Sequence, residues 1–219
     1  DWHHLNAGSR ISGMAVSLDG DEFIVETGTH ADLWKFKTSQ PVRRIDVEFL
    51  CGDVTYSTDG LHVIAPASSE LSLRSCATGE ETKRIVLAAN NKTAAKAVGF
   101  LPGGNELAVA CQVCKGNQKG LLLVVNLSTG LVVRKSRMDI EPEHLRTGPA
   151  GKWLCVTGSR NNRGCVLFFD AVNLKQLGGG GAHGSDLDDV RVSPDGAMRS
   201  LYVSGYRGGS PALPAASRN

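Results

Sequence analysis

A short turn recurs along this chain at a nearly constant interval, and that interval restricts the fold more than any other feature. "VSLDG" ends at Gly20, "TYSTDG" at Gly60, "GFLPGG" at Gly104, "RTGPAG" at Gly151 and "VRVSPDG" at Gly196, so successive anchors stand 40, 44, 47 and 45 residues apart. Each copy runs from a stretch with apolar residues at alternate positions into a glycine, the residue that accepts a positive φ at least cost. The Ser-Pro-Asp-Gly form is also a hairpin signal, because proline presets φ for the turn. Six and four residues before the anchors stand Met14 and Val16, Val54 and Tyr56, Val98 and Phe100, Leu145 and Thr147, Val190 and Val192. All but Thr147 are apolar, so each pair is expected to face a core. Three and five residues after the first four anchors come Phe23 and Val25, Val63 and Ala65, Leu107 and Val109, Leu154 and Val156. The fifth copy breaks this second pattern with Arg199 and Leu201.

The first four units each continue with a third apolar stretch, "DLWKF", "LSLR", "LLLVVN" and "CVLFFD". A turn follows, and then a fourth short strand at 42–45, 83–87, 131–135 and 174–177. No segment keeps a helical period with caps. The reading is all-β: a β-propeller of four-stranded antiparallel blades, the architecture that repeats of about 40–45 residues build. Blades are expected at roughly 11–45, 46–87, 96–135 and 144–177, with part of a fifth at 187–205, all within one domain at 1–205. Residues 206–219 are rich in Gly, Pro, Ser and Ala and are expected to be disordered. The chain opens on Asp1 rather than Met, and the fifth unit loses its last strands, so a fragment of a larger propeller is expected. Closure matters because it removes exposed sheet edges.

These residues resemble the WD-repeat family. "AHGSDLDDVRVSPDG" at 182–196 is similar to the family's Gly-His, apolar and Ser-Pro-Asp-Gly pattern, with Ala182 for the usual Gly and His183 as the His. The Trp-Asp dipeptide survives only as Trp34 and Asp170, in different units; its positions hold Trp34-Lys35, Arg74-Ser75, Val125-Asn126 and Phe169-Asp170. A related propeller family with similar blade length fits the same pattern. The resemblance implies a structural hydrogen-bonding role for His183 and, for the chain, a non-catalytic scaffold that binds other proteins.

Composition narrows the partners. A net charge of +2 over 219 residues argues against bulk electrostatic binding to nucleic acid or to a membrane, and no apolar run reaches the length of a membrane span. Six cysteines, at 51, 76, 111, 114, 155 and 165, are spread as buried thiols are in a reducing compartment, which favours a cytoplasmic or nuclear setting.

Residues with chemistry are few. Cys111 and Cys114 form a Cys-x-x-Cys pair without the second pair that zinc needs, and at a strand end rather than a helix start. His3 and His4 are adjacent, so on a strand they point to opposite faces. The glycines at 178–181 precede no helix and are expected to form a flexible connection between blades rather than a phosphate cradle. The first strands begin with plain residues such as Ser12, Gly52 and Lys96, which disfavours the alternative of an enzyme acting on a small molecule at the central axis. No catalytic, cofactor or metal residue is assigned. In WD-type propellers the loops after the second and fourth strands open on one face. There the resemblance gathers Lys115, Lys119, Arg160 and Arg163, with Asp139, Glu141, Glu143, Asp186, Asp188 and Asp189 on the neighbouring loops. The four basic residues are the expected contacts for a partner protein, acidic or phosphorylated where it meets them.

Overall fold

Each of the first four repeats folds as an antiparallel meander of four strands. In the computed structural model, the first blade comprises β1 (Gly13–Val16), β2 (Glu22–Glu26), β3 (His30–Lys35) and β4 (Arg43–Asp46). The second comprises β5 (Thr55–Tyr56), β6 (His62–Ala67), β7 (Glu70–Ser75) and β8 (Glu81–Val86). The third comprises β9 (Thr93–Phe100), β10 (Glu106–Val113), β11 (Gly120–Asn126) and β12 (Val132–Met138). The fourth comprises β13 (Glu141–Thr147), β14 (Trp153–Arg160), β15 (Arg163–Asp170) and β16 (Gln176–Gly181). A two-stranded ladder of β17 (Val190–Arg191) and β18 (Tyr202–Val203) follows. The structure describes residues 13–17, 19–27, 30–38, 40–46, 53–87, 93–114, 119–148 and 151–181, and the backbone of 190–191 and 202–203. The four sheets are arranged as a β-propeller, with β1 beside β5, β9 beside β13 and β13 beside β17.

The anchoring glycines explain the local geometry. Gly20, Gly60, Gly104 and Gly151 have φ of 75°, 71°, 72° and 60°, the left-handed region that favours glycine. Each donates its N–H to the carbonyl three residues back: Gly20 to Ser17, Gly60 to Ser57, Gly104 to Leu101 and Gly151 to Gly148, at 2.8–3.1 Å. In the first two blades side chains reinforce the turn. Ser17 Oγ donates to Asp19 Oδ1 at 2.6 Å, and Asp19 Oδ1 also accepts the Asp21 N–H at 3.1 Å. Ser57, Asp59 and Leu61 repeat that arrangement.

Cores lie between blades, which is why the strands read as nearly continuous apolar runs. In β10, Leu107, Val109 and Cys111 join the core shared with the second blade, through Ile64, Leu71 and Ile85. The alternate residues Ala108 and Ala110 join the core shared with the fourth blade, opposite Leu154, Leu167 and Phe169. Period-2 alternation thus sends one face to each neighbour.

Two expectations need correction. Met14 and Val16 do not face the core between the first two blades; they are 60% and 48% exposed. It is Ala15 that packs there, with Ile24, Leu33 and Tyr56. The run at 178–181 is not a connection between blades. It completes β16, with Cys165 opposite Gly181 and Phe168 opposite Gly178, because β15 supplies backbone partners that override the low strand propensity of glycine. A Cβ added at Gly179 would lie 2.6 Å from the Val166 carbonyl oxygen and 2.7 Å from Leu167 Cδ2, whereas one at Gly180 meets nothing within 4 Å. Gly180→Val is therefore expected to stabilise by about 0.5–1 kcal/mol. Gly179→Val is expected to destabilise by about 1–3 kcal/mol. Thermal denaturation of the two variants, with opposite signs expected, checks this.

Candidate functional site

Two polar sites emerge, one at the loop end of the third and fourth blades and one along the axis. At the loop end, β14 and β15 are joined by a two-residue turn, Asn161-Asn162, with φ of 54° and 60°. Two consecutive positive values mark the hairpin turn that asparagine tolerates best after glycine. The turn places Arg160 and Arg163 directly opposite each other in register. Arg160 Nη2 donates to Asp139 Oδ1 at 2.6 Å, which relieves that like-charge contact. Lys119 Nζ donates to Asn161 Oδ1 at 2.8 Å, tying the third blade to the fourth, and Gln112 Nε2 reaches Glu141 Oε2 at 3.4 Å across the same seam.

Of the four basic residues expected there, the structure brings Lys119, Arg160 and Arg163 together around one turn. Arg160 is engaged with the chain's own Asp139, whereas Lys119 has an amide partner and Arg163 is exposed. Lys115, Asp186, Asp188 and Asp189 lie outside the described residues, as do His3, His4 and His183. Cys111 and Cys114 part company at the end of β10. Cys111 is buried, which pushes its thiol up to about 12, while Cys114 is exposed. Burial in apolar surroundings suppresses the thiolate that metal binding or redox chemistry uses.

The axis was expected to be plain, and it is not. Asp53, just ahead of β5, donates its backbone N–H to the Lys96 carbonyl of β9 at 3.1 Å. Its Oδ2 lies 2.9 Å from His144 Nδ1 and accepts from Arg146 Nη1 at 3.2 Å, both on β13. Three blades therefore meet at one residue, Asp53, whose side chain is 18% exposed. Burial alone would push that carboxyl up, but the hydrogen bond and charge of His144 and the charge of Arg146 outweigh it and hold the group below the usual carboxylate range. The first blade contributes Glu26, which is buried. A Cβ at Gly13 would lie 2.9 Å from Glu26 Oε2 and 3.7 Å from Asp53 Oδ1, so the bare backbone of β1 makes room for both acids. The only hint in the sequence is the charged pair His144 and Arg146 at alternate positions of a first strand. Chemically, an Asp-oriented imidazole beside a guanidinium can hold an anion or position a proton. Among the described residues no group of three or more His, Cys, Asp or Glu is placed to hold a metal ion.

No family model matches the chain, and no curated protein does. Solved structures do. The chain is similar to Kuenenia stuttgartiensis hydrazine synthase, with a TM-score of 0.73 and 19% identity over 89% of this chain and 56% of that one. It is also similar to the Myceliophteria thermophila Cps50 (Swd1) β-propeller domain, with a TM-score of 0.62 and 15% identity over 78% of this chain and 58% of that one. A chain of a mitotic checkpoint complex gives a TM-score of 0.63 and 16% identity over 92% of this chain and 73% of that one. The chain spans just over half the length of the first two. At these identities the likeness establishes the fold, a β-propeller, and nothing finer.

Proposed function

We propose that the chain is a WD-repeat-like propeller serving as a non-catalytic platform for other proteins, as part of a larger multidomain protein, in the cytoplasm or nucleus. The observation that carries this reading is the loop end of the third and fourth blades. Asn161 and Arg163 sit at a two-residue hairpin turn of the fourth blade, and Lys119 of the third blade donates to Asn161 across the seam, so the contacts are presented at the ends of paired strands. Such presentation lowers the ordering cost of binding. Lys119 and Arg163 are the cations available to an acidic or phosphorylated segment, with Arg160 joining if it leaves Asp139. The similarity to a propeller in a checkpoint complex supports protein partners in general, and the buried thiols of Cys111, Cys155 and Cys165 agree with a reducing compartment.

The test is fluorescence anisotropy with an array of phosphorylated and acidic peptides. Lys119→Ala with Arg163→Ala is expected to weaken the best binder by about 10–100-fold, at about 1.5–3 kcal/mol for hydrogen bonds to a charged group. Equal binding by the double variant would sink the assignment of this face. The second reading is an enzyme acting on a small molecule at the axis. It is favoured by the Asp53, His144 and Arg146 set and by the likeness to hydrazine synthase. Metal content by mass spectrometry and a generic hydrolase screen, with His144→Ala as control, separate the two; turnover lost in that variant would favour the enzyme.

A further inference from the structure

The first and second blades meet along a cleft of about 570 Å³, within the range of small-molecule sites. It lies between the β1–β2 and β3–β4 turns of one blade and the β5–β6 and β7–β8 turns of the next, at the opposite end of the blades from Lys119 and Arg163. Leu33, Val42 and Leu61 form its apolar wall, and Leu61 is 63% exposed. Its charges do not cancel. Lys35 Nζ is 3.5 Å from Glu22 Oε1, so that pair is internally neutral. Arg43 forms no ion pair among the described residues, and its Nε is buried without a hydrogen-bond partner. The arginine stem passes over the bare backbone of Gly79, its Cδ lying 3.6 Å from where a Cβ there would stand.

Behind the cleft lining, Tyr56 is 7% exposed and belongs to the apolar cluster against which the cleft residue Cys76 packs; its hydroxyl has no partner among the described residues. Burial, and then the nearby Cys76, Glu22 and Asp19, push its phenol far above the usual range, so it remains a proton donor at every physiological pH. Among the lining residues Arg43 is the cation left without a carboxylate, and an anion in the cleft supplies its counter-charge. We infer that this cleft is a binding site for a small organic anion, an apolar body carrying a carboxylate or a phosphate, with Arg43 on the anion and Val42 and Leu61 against the body.

The experiment is calorimetric titration of the full chain with 3-phenylpropionate, phenyl phosphate, inorganic phosphate and benzylamine. At least one aromatic anion is expected to saturate; whichever binds tighter distinguishes a carboxylate ligand from a phosphate one. Inorganic phosphate is expected to bind more weakly than phenyl phosphate, and benzylamine not at all. Arg43→Met is expected to weaken binding about tenfold or more. Leu61→Ser, at an exposed position that cannot unfold the chain, is expected to weaken it a few-fold through lost apolar contact. The proposal is overturned if neither aromatic anion saturates, if benzylamine binds as well, or if Arg43→Met and Leu61→Ser both leave affinity unchanged. Lys119→Ala with Arg163→Ala should leave this binding intact, so failure here and failure of the loop-face reading are separable.

Discussion

Replacing Asp53 with alanine is expected to cost about 2–3 kcal/mol and to lower the unfolding midpoint by about 4–12 °C. The variant takes from the His144 imidazole and the Arg146 guanidinium, both largely buried, the carboxylate that both contact. Removing one partner of a buried pair usually costs about 3–5 kcal/mol, and the residual exposure of this cluster reduces that figure. The effect also has a pH signature. Asp53 is held below its ordinary value in the fold, so its contribution is present above the unfolded value, about 3.9 for an aspartate, and is lost as pH falls through the lower folded value. The gap in midpoint between wild type and variant should therefore be present at neutral pH and close on acidification below about pH 4. Thermal melts by circular dichroism at several pH values measure it. A gap that is absent, or that widens in acid, would mean that the axial carboxylate does not fasten the blades.

Phe169→Ala should have a still larger effect, about 3–5 kcal/mol, or a midpoint lowered by about 6–20 °C. Phe169 is 0% exposed in the core between the third and fourth blades, where the small Ala108 and Ala110 of the third blade leave room for it. Its cluster neighbours Leu154 and Leu167 stand on strands paired on both sides, so much of the cavity is expected to remain. The loop-end seam rests on the same two blades. Hydrogen exchange is expected to accelerate at the Asn161–Asn162 turn and at Gly120 together with the core strands β14 and β15. A loss of stability below about 1 kcal/mol would contradict the burial that the packing implies.

The blades were legible in the sequence because two independent signals coincide in each. Alternation sets the strands, and a glycine at one turn position sets where they end. Phe23, Val63, Leu107 and Leu154 all take up the buried positions that this reasoning assigns. What alternation cannot convey is which neighbour a face meets, or whether it meets one at all. Hence Met14 and Val16 were expected at a core that Ala15 occupies. Composition misled at the glycines of β16, where the partner strand rather than the side chains holds the backbone. The axial set was hidden for a different reason. Asp53 meets His144 and Arg146 across 91 and 93 residues, a separation at which no local pattern operates. Arg160 and Asp139 were both placed on the loop face, but only coordinates could show that they satisfy each other.

The four equivalent turns carry a final consequence, about how much text the repeat needs. The third and fourth copies lack the serine and aspartate that brace the first two, yet the glycine's hydrogen bond and its positive φ are the same in all four. The geometry thus demands a single letter per turn, and the bracing side chains are optional vocabulary. A comparison that scores letters has little to hold in such a chain, whereas one that scores shape finds all four blades, which is how a propeller can match solved structures and no family model at once.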